Sequence, residues 1–235
     1  TRNVDTLSWT PSIAPTGFEV IRDRAGIETW AWFAQDQWEI NDRLSLTTGL
    51  RQYYVDGKLD YTDRESLTPG ELDSDQKAIA AMGLVWAASD EVFLRANVSQ
   101  GYVYPSLTQL ATGAYAGSNF VNPDVGLNPE TSVNYDLGLR LQRNDLTLDA
   151  TVFYTESDDY IHHLPCTPED NCPGRRDRLY QNVGQSDAHG LELFAAYAGP
   201  TEGLEPYTSL TWMKRKIEYE QFSTWNTAVP DISGR

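Results

Sequence analysis

The sequence predicts an all-β protein, an antiparallel transmembrane β-barrel. Three observations predict it. Apolar residues recur at every second position over long stretches. Each stretch is about as long as a strand that crosses a bilayer. Short turns and long loops alternate along the chain. The pattern is clearest at 131–156, where Val133, Tyr135, Leu137, Leu139 and Leu141 alternate with Ser132, Asn134, Asp136, Gly138 and Arg140. After the turn at 142–145, Leu146, Leu148, Ala150, Val152 and Tyr154 alternate with Thr147, Asp149, Thr151, Phe153 and Thr155. A period of two gives each strand two chemically different faces. In a sandwich a second sheet must cover the apolar face; in a membrane barrel lipid covers it and the polar face looks inward. Each arm is close to the roughly 9–11 residues of a membrane strand and longer than the soluble mode of about 5–6.

In chain order, residues 1–26 carry Pro11, Pro15, Gly17 and Gly26 and no sustained alternation, and are read as loop with room for a short strand. Residues 28–39, rich in Trp, read as a strand, followed by a turn at Asn41-Asp42 and a strand from Leu44 to about Asp56. An acidic loop covers 57–76. Strands at 77–87 and from Val92 onward flank the turn at Ser89-Asp90. A second long loop covers 103–130, a third 158–188 and a fourth 214–227. Leu191 to Tyr197 and Leu204 to Trp212 form another strand pair, and Val229 to Arg235 opens a further strand. The count is about eight strands and a truncated ninth over 1–235, a single partial barrel domain. An open edge is not viable in lipid, so the reading predicts part of a larger barrel. Thr1 is not an initiator methionine, and the chain is expected to begin in mid-protein.

The polar face holds Arg51, Arg95, Asn134, Asp136, Arg140, Asp149 and Glu192. So many charges do not suit a packed core; they suit a wide lumen that is wet or plugged by polar surface. The net charge of −16, from 34 acidic and 18 basic residues, argues against a nucleic-acid partner. Mean hydropathy is −0.49, and no apolar run is long enough for a transmembrane helix. The 13 Tyr and 7 Trp suit strands and membrane-interface girdles alike. Cys166 and Cys172, in the Pro-rich segment LPCTPEDNCPGRRD, read as a small disulfide loop, with two free thiols as the alternative. No second pair completes a zinc site, and no metal site or cofactor is predicted.

Two stretches resemble boxes of the TonB-dependent outer-membrane receptors. QGYVYPSLTQL (100–110) resembles their GFRAPSLxxL box, and NPDVGLNPETSVNYDLGLR (122–140) their NPxLxPExSxxYExGxR box. FAQDQWEINDRLSLTTGLR (33–51), QNVGQSDAHGLEL (181–193) and the VP…SG near 229–234 follow the same order. The resemblance implies a barrel of about 22 strands around an N-terminal plug, with energy supplied by TonB. The plug, the TonB-contacting segment and a terminal aromatic residue are not in this chain. Members carry ferric siderophores, haem, cobalamin or sugars. The family's haem receptors tend to place a His between the two boxes, and 101–130 holds none, which favours a ferric siderophore over haem.

Aromatic and cationic loop residues suit an anionic, aromatic siderophore complex through stacking and charge. The candidates are Tyr104, Tyr115, Phe120, Arg175, Arg176, Arg178 and Trp225, with interface-belt aromatics and solvated arginines as the plain alternative. His162 and His163 could meet iron or haem, or simply be solvated; His189 reads as structural. The acidic residues of 57–76 could bind cations that bridge lipopolysaccharide, though a solvated loop explains them too. No nucleophile and base cluster convincingly: Ser186, Asp187 and His189 are neighbours in sequence without implied triad geometry. A passive porin and a soluble β-sandwich adhesin remain as readings from other classes.

Overall fold

The structure, a computed structural model, describes residues 2–11, 18–63, 67–117, 119–170, 172, 177–199, 205–219, 222–225 and 233–234, the side chains of 2–21, 71 and 218–234 excepted. The long strands are β1 (Arg2–Pro11), β2 (Phe18–Asn41), β3 (Leu44–Thr62), β4 (Gly70–Ala87), β5 (Val92–Val103), β8 (Glu130–Arg143), β9 (Leu146–Asp158), β12 (Ser186–Tyr197) and β13 (Tyr207–Tyr219). They form one antiparallel sheet in that order, which β14 (Phe222–Trp225) and β15 (Ser233–Gly234) join by pairing with β13. Among the described residues β1 pairs only with β2, so the sheet does not close on itself. A second sheet gathers β10 (Ile161–Pro165), β11 (Arg178–Asn182), β7 (Asn119–Asn122) and β6 (Ala114–Ala116). No helix among the described residues is long and apolar enough to cross a membrane.

The register brings the alternation of successive strands onto common faces. Leu46 pairs Trp38 and Leu84; Leu84 pairs Ala96; Ala96 pairs Leu137; Leu137 pairs Val152. This face carries Trp30, Trp32, Trp38, Leu50, Met82, Trp86, Tyr135, Leu137, Leu139, Val152 and Tyr154, all exposed. Such a continuous apolar wall far exceeds the patches of a few hundred Å² found on soluble monomers. Among the described residues no second sheet packs against it, which is not the arrangement of a sandwich. Trp30 and Trp38 on this face of β2 lie about 26 Å apart along the strand at about 3.3 Å per residue; at a tilt of about 35–45° that stretch rises roughly 20 Å, most of the ~25 Å apolar band of outer-membrane barrels.

Several strands outrun their sequence signal. Residues 1–26, read as loop, carry β1 and the first part of β2, paired from Arg2↔Ile27 to Pro11↔Phe18. The loop read at 57–76 shrinks to the stretch between Thr62 and Gly70, because β3 and β4 continue in ladder through Leu59↔Gly70. The loop read at 214–227 contains the end of β13 and all of β14. One cause covers all three. Outside the apolar band the backbone ladder holds without an apolar face, so alternation fades while pairing persists. The strand read from Leu204 begins at Tyr207, and of the strand read at 229–235 only Ser233–Gly234 lies within the described residues.

The buried core sits at the long-loop end of the sheet. Ala25, Leu59 and Leu72 from β2, β3 and β4 meet Leu107, Leu110 and Ala111, with Leu127 and Ile161 completing the cluster. Leu107 to Ala111 belong to a single π-helical turn, Thr108–Thr112 and its leading residue. This turn anchors the loop that sequence reading left without structure.

Candidate functional site

The loops at 103–130 and 158–188 are welded into one platform. Strand β7 pairs β11 in parallel through Arg178↔Val121 and Leu179↔Asn122. Strands β10 and β11 form a hairpin from Ile161↔Asn182 to Pro165↔Arg178. Side-chain amides stitch the seams: Asn122 Nδ2 donates to the Arg178 carbonyl (3.0 Å), and Asn182 Nδ2 donates to the carbonyls of Asn128 (3.0 Å) and Asp159 (2.6 Å). Glu130, from the second box, accepts the Ile161 N–H at 2.7 Å and so ties the platform to β8. Gly113 permits the tight entry to β6. Its φ is +64°, and an added Cβ would lie 2.5 Å from the Phe120 ring, a position only glycine takes without strain.

Cys166 and Cys172 are disulfide-bonded across the tip beyond β10, with Cα atoms 6.3 Å apart. The pairing expected from sequence is present. Closing this short loop is worth roughly 2 kcal/mol of local order in the chain-entropy account. Replacing Cys166 by Ser should therefore speed amide exchange at the β10–β11 tip by about tenfold or more while leaving exchange in β8 and β9 unchanged. Equal exchange at the tip in both proteins would show that the hairpin is held by its ladder alone.

On this platform the predicted His162, His163 and Arg178 come together. The two imidazoles stack at 4.7 Å between centroids, and Arg178 Nη1 lies 2.8 Å from His163 Nδ1. Three residues that sequence reading missed complete the cluster. Tyr160 stacks on His162 at 6.3 Å, Tyr180 meets His163 edge-on at 6.2 Å, and the Arg215 guanidinium lies 4.5 Å from the Tyr160 ring centroid. Arg215 comes from β13, where its Nε donates to Ser186 Oγ at 2.9 Å, so the cluster bridges wall and platform. Its neighbours in sequence, Lys214 and Lys216, gave it no distinguishing signal. Burial first, then the charges of His163, Arg178 and Arg215, hold His162 below the ordinary histidine range. Burial pushes the Tyr180 phenol up.

The other candidates lie apart. Tyr115 and Phe120 pack edge-on at 5.1 Å across the β6–β7 hairpin. Tyr104 donates to the Asp73 carbonyl, and burial, followed by the charges of Asp73, Asp75 and Asp56, pushes its phenol up to about 12. It therefore anchors the loop entry to the wall. Arg175 and Arg176 lie outside the described residues; Trp225 pairs Ile217 in the ladder. His189 packs edge-on against Trp212 at 6.1 Å.

The polar face of the sheet carries a network of its own. Asp149 holds two cations, Arg95 and Arg140, each at 2.7 Å, and Arg95 also donates to Thr151 Oγ1 at 3.0 Å. Gly138 makes room for this: a Cβ there would lie 2.8 Å from the Arg95 guanidinium. Asn97 donates to Asp136 at 3.1 Å, and Thr155 to the Asn134 side chain at 2.9 Å. Arg51 lies 4.8 Å from the ring centroid of Tyr53. Glu192 pairs Thr151 and Thr211 in the ladder.

A family model described as TonB dependent receptor-like, beta-barrel matches residues 2–234. The pesticin receptor of Yersinia pestis is 26% identical over 191 residues, covering 80% of this chain and 25% of that protein. The chain thus spans about a quarter of the length of the curated relatives it matches. Among solved structures, the copper transporter OprC aligns with a TM-score of 0.70 at 18% identity, covering 91% of this chain and 32% of that one. The ferric yersiniabactin uptake receptor FyuA of Yersinia pestis aligns with a TM-score of 0.61 at 21% identity, covering 94% and 32%.

Proposed function

We propose, because this chain belongs to the TonB-dependent receptor β-barrel family of the bacterial outer membrane, that the protein imports a ferric siderophore by TonB-dependent active transport. The observation that carries the reading is the pairing of an exposed apolar barrel wall with an ordered loop platform bearing an aromatic and cationic cluster. Similarity, at 26% identity, to the iron-regulated outer membrane virulence protein of Vibrio cholerae supports iron cargo. The work is binding and conformational change, with no covalent step. The wall described here forms part of a larger barrel whose remaining strands close it, since an unpaired edge in lipid leaves backbone groups unsatisfied. Arg51, Arg95, Asn134, Asp136, Arg140, Asp149 and Glu192 line the lumen and meet the plug. His162, His163 and Arg178, with Tyr115 and Phe120 on the same platform, face the cargo; Tyr104, Arg175, Arg176 and Trp225 complete the set of loop candidates. TonB engages a segment of the intact receptor, and lipid and lipopolysaccharide surround the wall.

Haem is the second reading, favoured by the paired imidazoles of His162 and His163. Their mutual stacking and the Arg178 contact on His163 suit an anionic aryl group better than axial iron ligation. The deciding experiment is growth rescue. A host lacking the receptor is given the intact gene, starved of iron and supplied with a ferric catecholate, a ferric hydroxamate or haem separately. Rescue by a siderophore is expected. Rescue by haem alone would overturn the siderophore reading.

A further inference from the structure

His162 is opposed by burial, by the imidazole of His163, whose Nδ1 accepts from Arg178, and by the guanidiniums of Arg178 and Arg215. Three carboxylates around the cluster have other partners. Glu130 accepts the Ile161 N–H, Asp158 accepts from Gln185 Nε2 at 3.0 Å, and Asp187 accepts from Tyr154 at 3.1 Å. Asp159, at φ 55°, and Asp177, beside Arg178, flank the cluster in sequence, and neither is among the groups whose charge shifts His162. The surface that remains consists of four rings, Tyr160, His162, His163 and Tyr180, flanked by two guanidiniums. All six side chains are half-buried, so one side of the cluster is open to solvent.

We propose that this cluster is the seat for an anionic aryl group of the cargo, a phenolate or aryl carboxylate bound to the ferric ion, and that its affinity rises on acidification. The proposal rests on the siderophore reading and names the chemical class of siderophore. A planar aryl ring stacks on the imidazole and phenol faces, while its oxygen anion meets Arg178 and Arg215 through charge-assisted bonds. A neutral hydroxamate complex offers neither feature. The pH sign follows from the geometry. In the empty seat, protonating a histidine adds a third cation to two arginines. An arriving anion removes that opposition, so binding takes up a proton and strengthens as pH falls toward and below the histidine range.

The test uses the intact receptor in detergent micelles, with ferric salicylate and ferric acetohydroxamate as probes, titrated between pH 7.5 and 6. The wild type is compared with the H162Q/H163Q double variant at each pH, which cancels titration of the probe itself. Wild-type affinity for ferric salicylate should rise about three- to tenfold more than that of the double variant across this range. Arg178→Gln should lower it about tenfold at every pH, while Arg178→Lys should keep the pH response. Protease resistance of the β10–β11 hairpin reports whether each variant keeps the platform. If salicylate binds with the same pH profile in both proteins, or only acetohydroxamate binds, the aryl seat is overturned while import stands. If neither probe binds and no siderophore rescues growth, both readings fall.

Discussion

Replacing Leu110 by Asp should melt the loop platform and abolish cargo binding while the barrel wall stays folded. Leu110 is 2% exposed and Ala111 fully buried, in the cluster that joins the π-helical turn to Ala25, Leu59 and Leu72 of the wall. Truncating such a leucine to alanine costs about 2–5 kcal/mol; a carboxylate adds the expense of burying a charge with no partner. The wall loses little, because its ladder runs independently of this turn. The penalty therefore falls on the platform, whose other ties to the wall among the described residues include Tyr104 to the Asp73 carbonyl, Glu130 to Ile161 and Arg215 to Tyr160. Since about 1.4 kcal/mol is tenfold in an equilibrium constant, even the low end of the range should weaken binding more than tenfold. Limited proteolysis of whole cells should cut within 104–129 in the variant and spare the wild type, with equal receptor levels in the membrane. Unchanged resistance and unchanged binding would mean that the turn does not hold the platform.

The legible part of this molecule is the part whose two faces differ chemically along each strand. Tyr135, Leu137 and Leu139 lie on the exposed apolar face and alternate with Asn134, Asp136 and Arg140 on the polar one, and this contrast sufficed to place β8 and β9 within a few residues. It also grouped Arg95, Arg140 and Asp149 on one face, although not the convergence of both arginines on Asp149, which depends on register and on the space left by Gly138. The platform was illegible for the opposite reason. Strands β6, β7, β10 and β11 are short, and β7 meets β11 across more than fifty residues of chain, a pairing no local pattern encodes. His162, His163 and Arg178 could be picked out by residue type. Tyr160 and Tyr180 could not be told from any other loop tyrosine, and Arg215 fell beyond the point where alternation on β13 fades.

The second large effect should distinguish the two faces of the wall directly. Leu137 lies at the middle of β8, paired with Ala96 and Val152, and is 56% exposed on the apolar face. If lipid covers that face, Leu137→Arg places a cation near the bilayer midplane and should cost about 2–4 kcal/mol. The matched control is Thr47→Arg on the polar face. Thr47 pairs Gly83, which pairs Asn97, which pairs Asp136, so it lies one ladder row from Leu137 but on the opposite face. An arginine there points away from lipid, toward the side that already holds Arg95 and Arg140, and should cost less than about 1 kcal/mol. The measurement is denaturant titration of the intact receptor refolded into phosphatidylcholine vesicles, read by tryptophan emission. The same two variants in short-chain detergent, where water reaches both faces more readily, should differ by less. A Thr47→Arg penalty equal to or above that of Leu137→Arg would put water against the tryptophan-bearing wall and lipid against the charged face. That outcome is hard to reconcile with the Arg95–Asp149–Arg140 network, because lipid offers those three charges no solvation beyond one another.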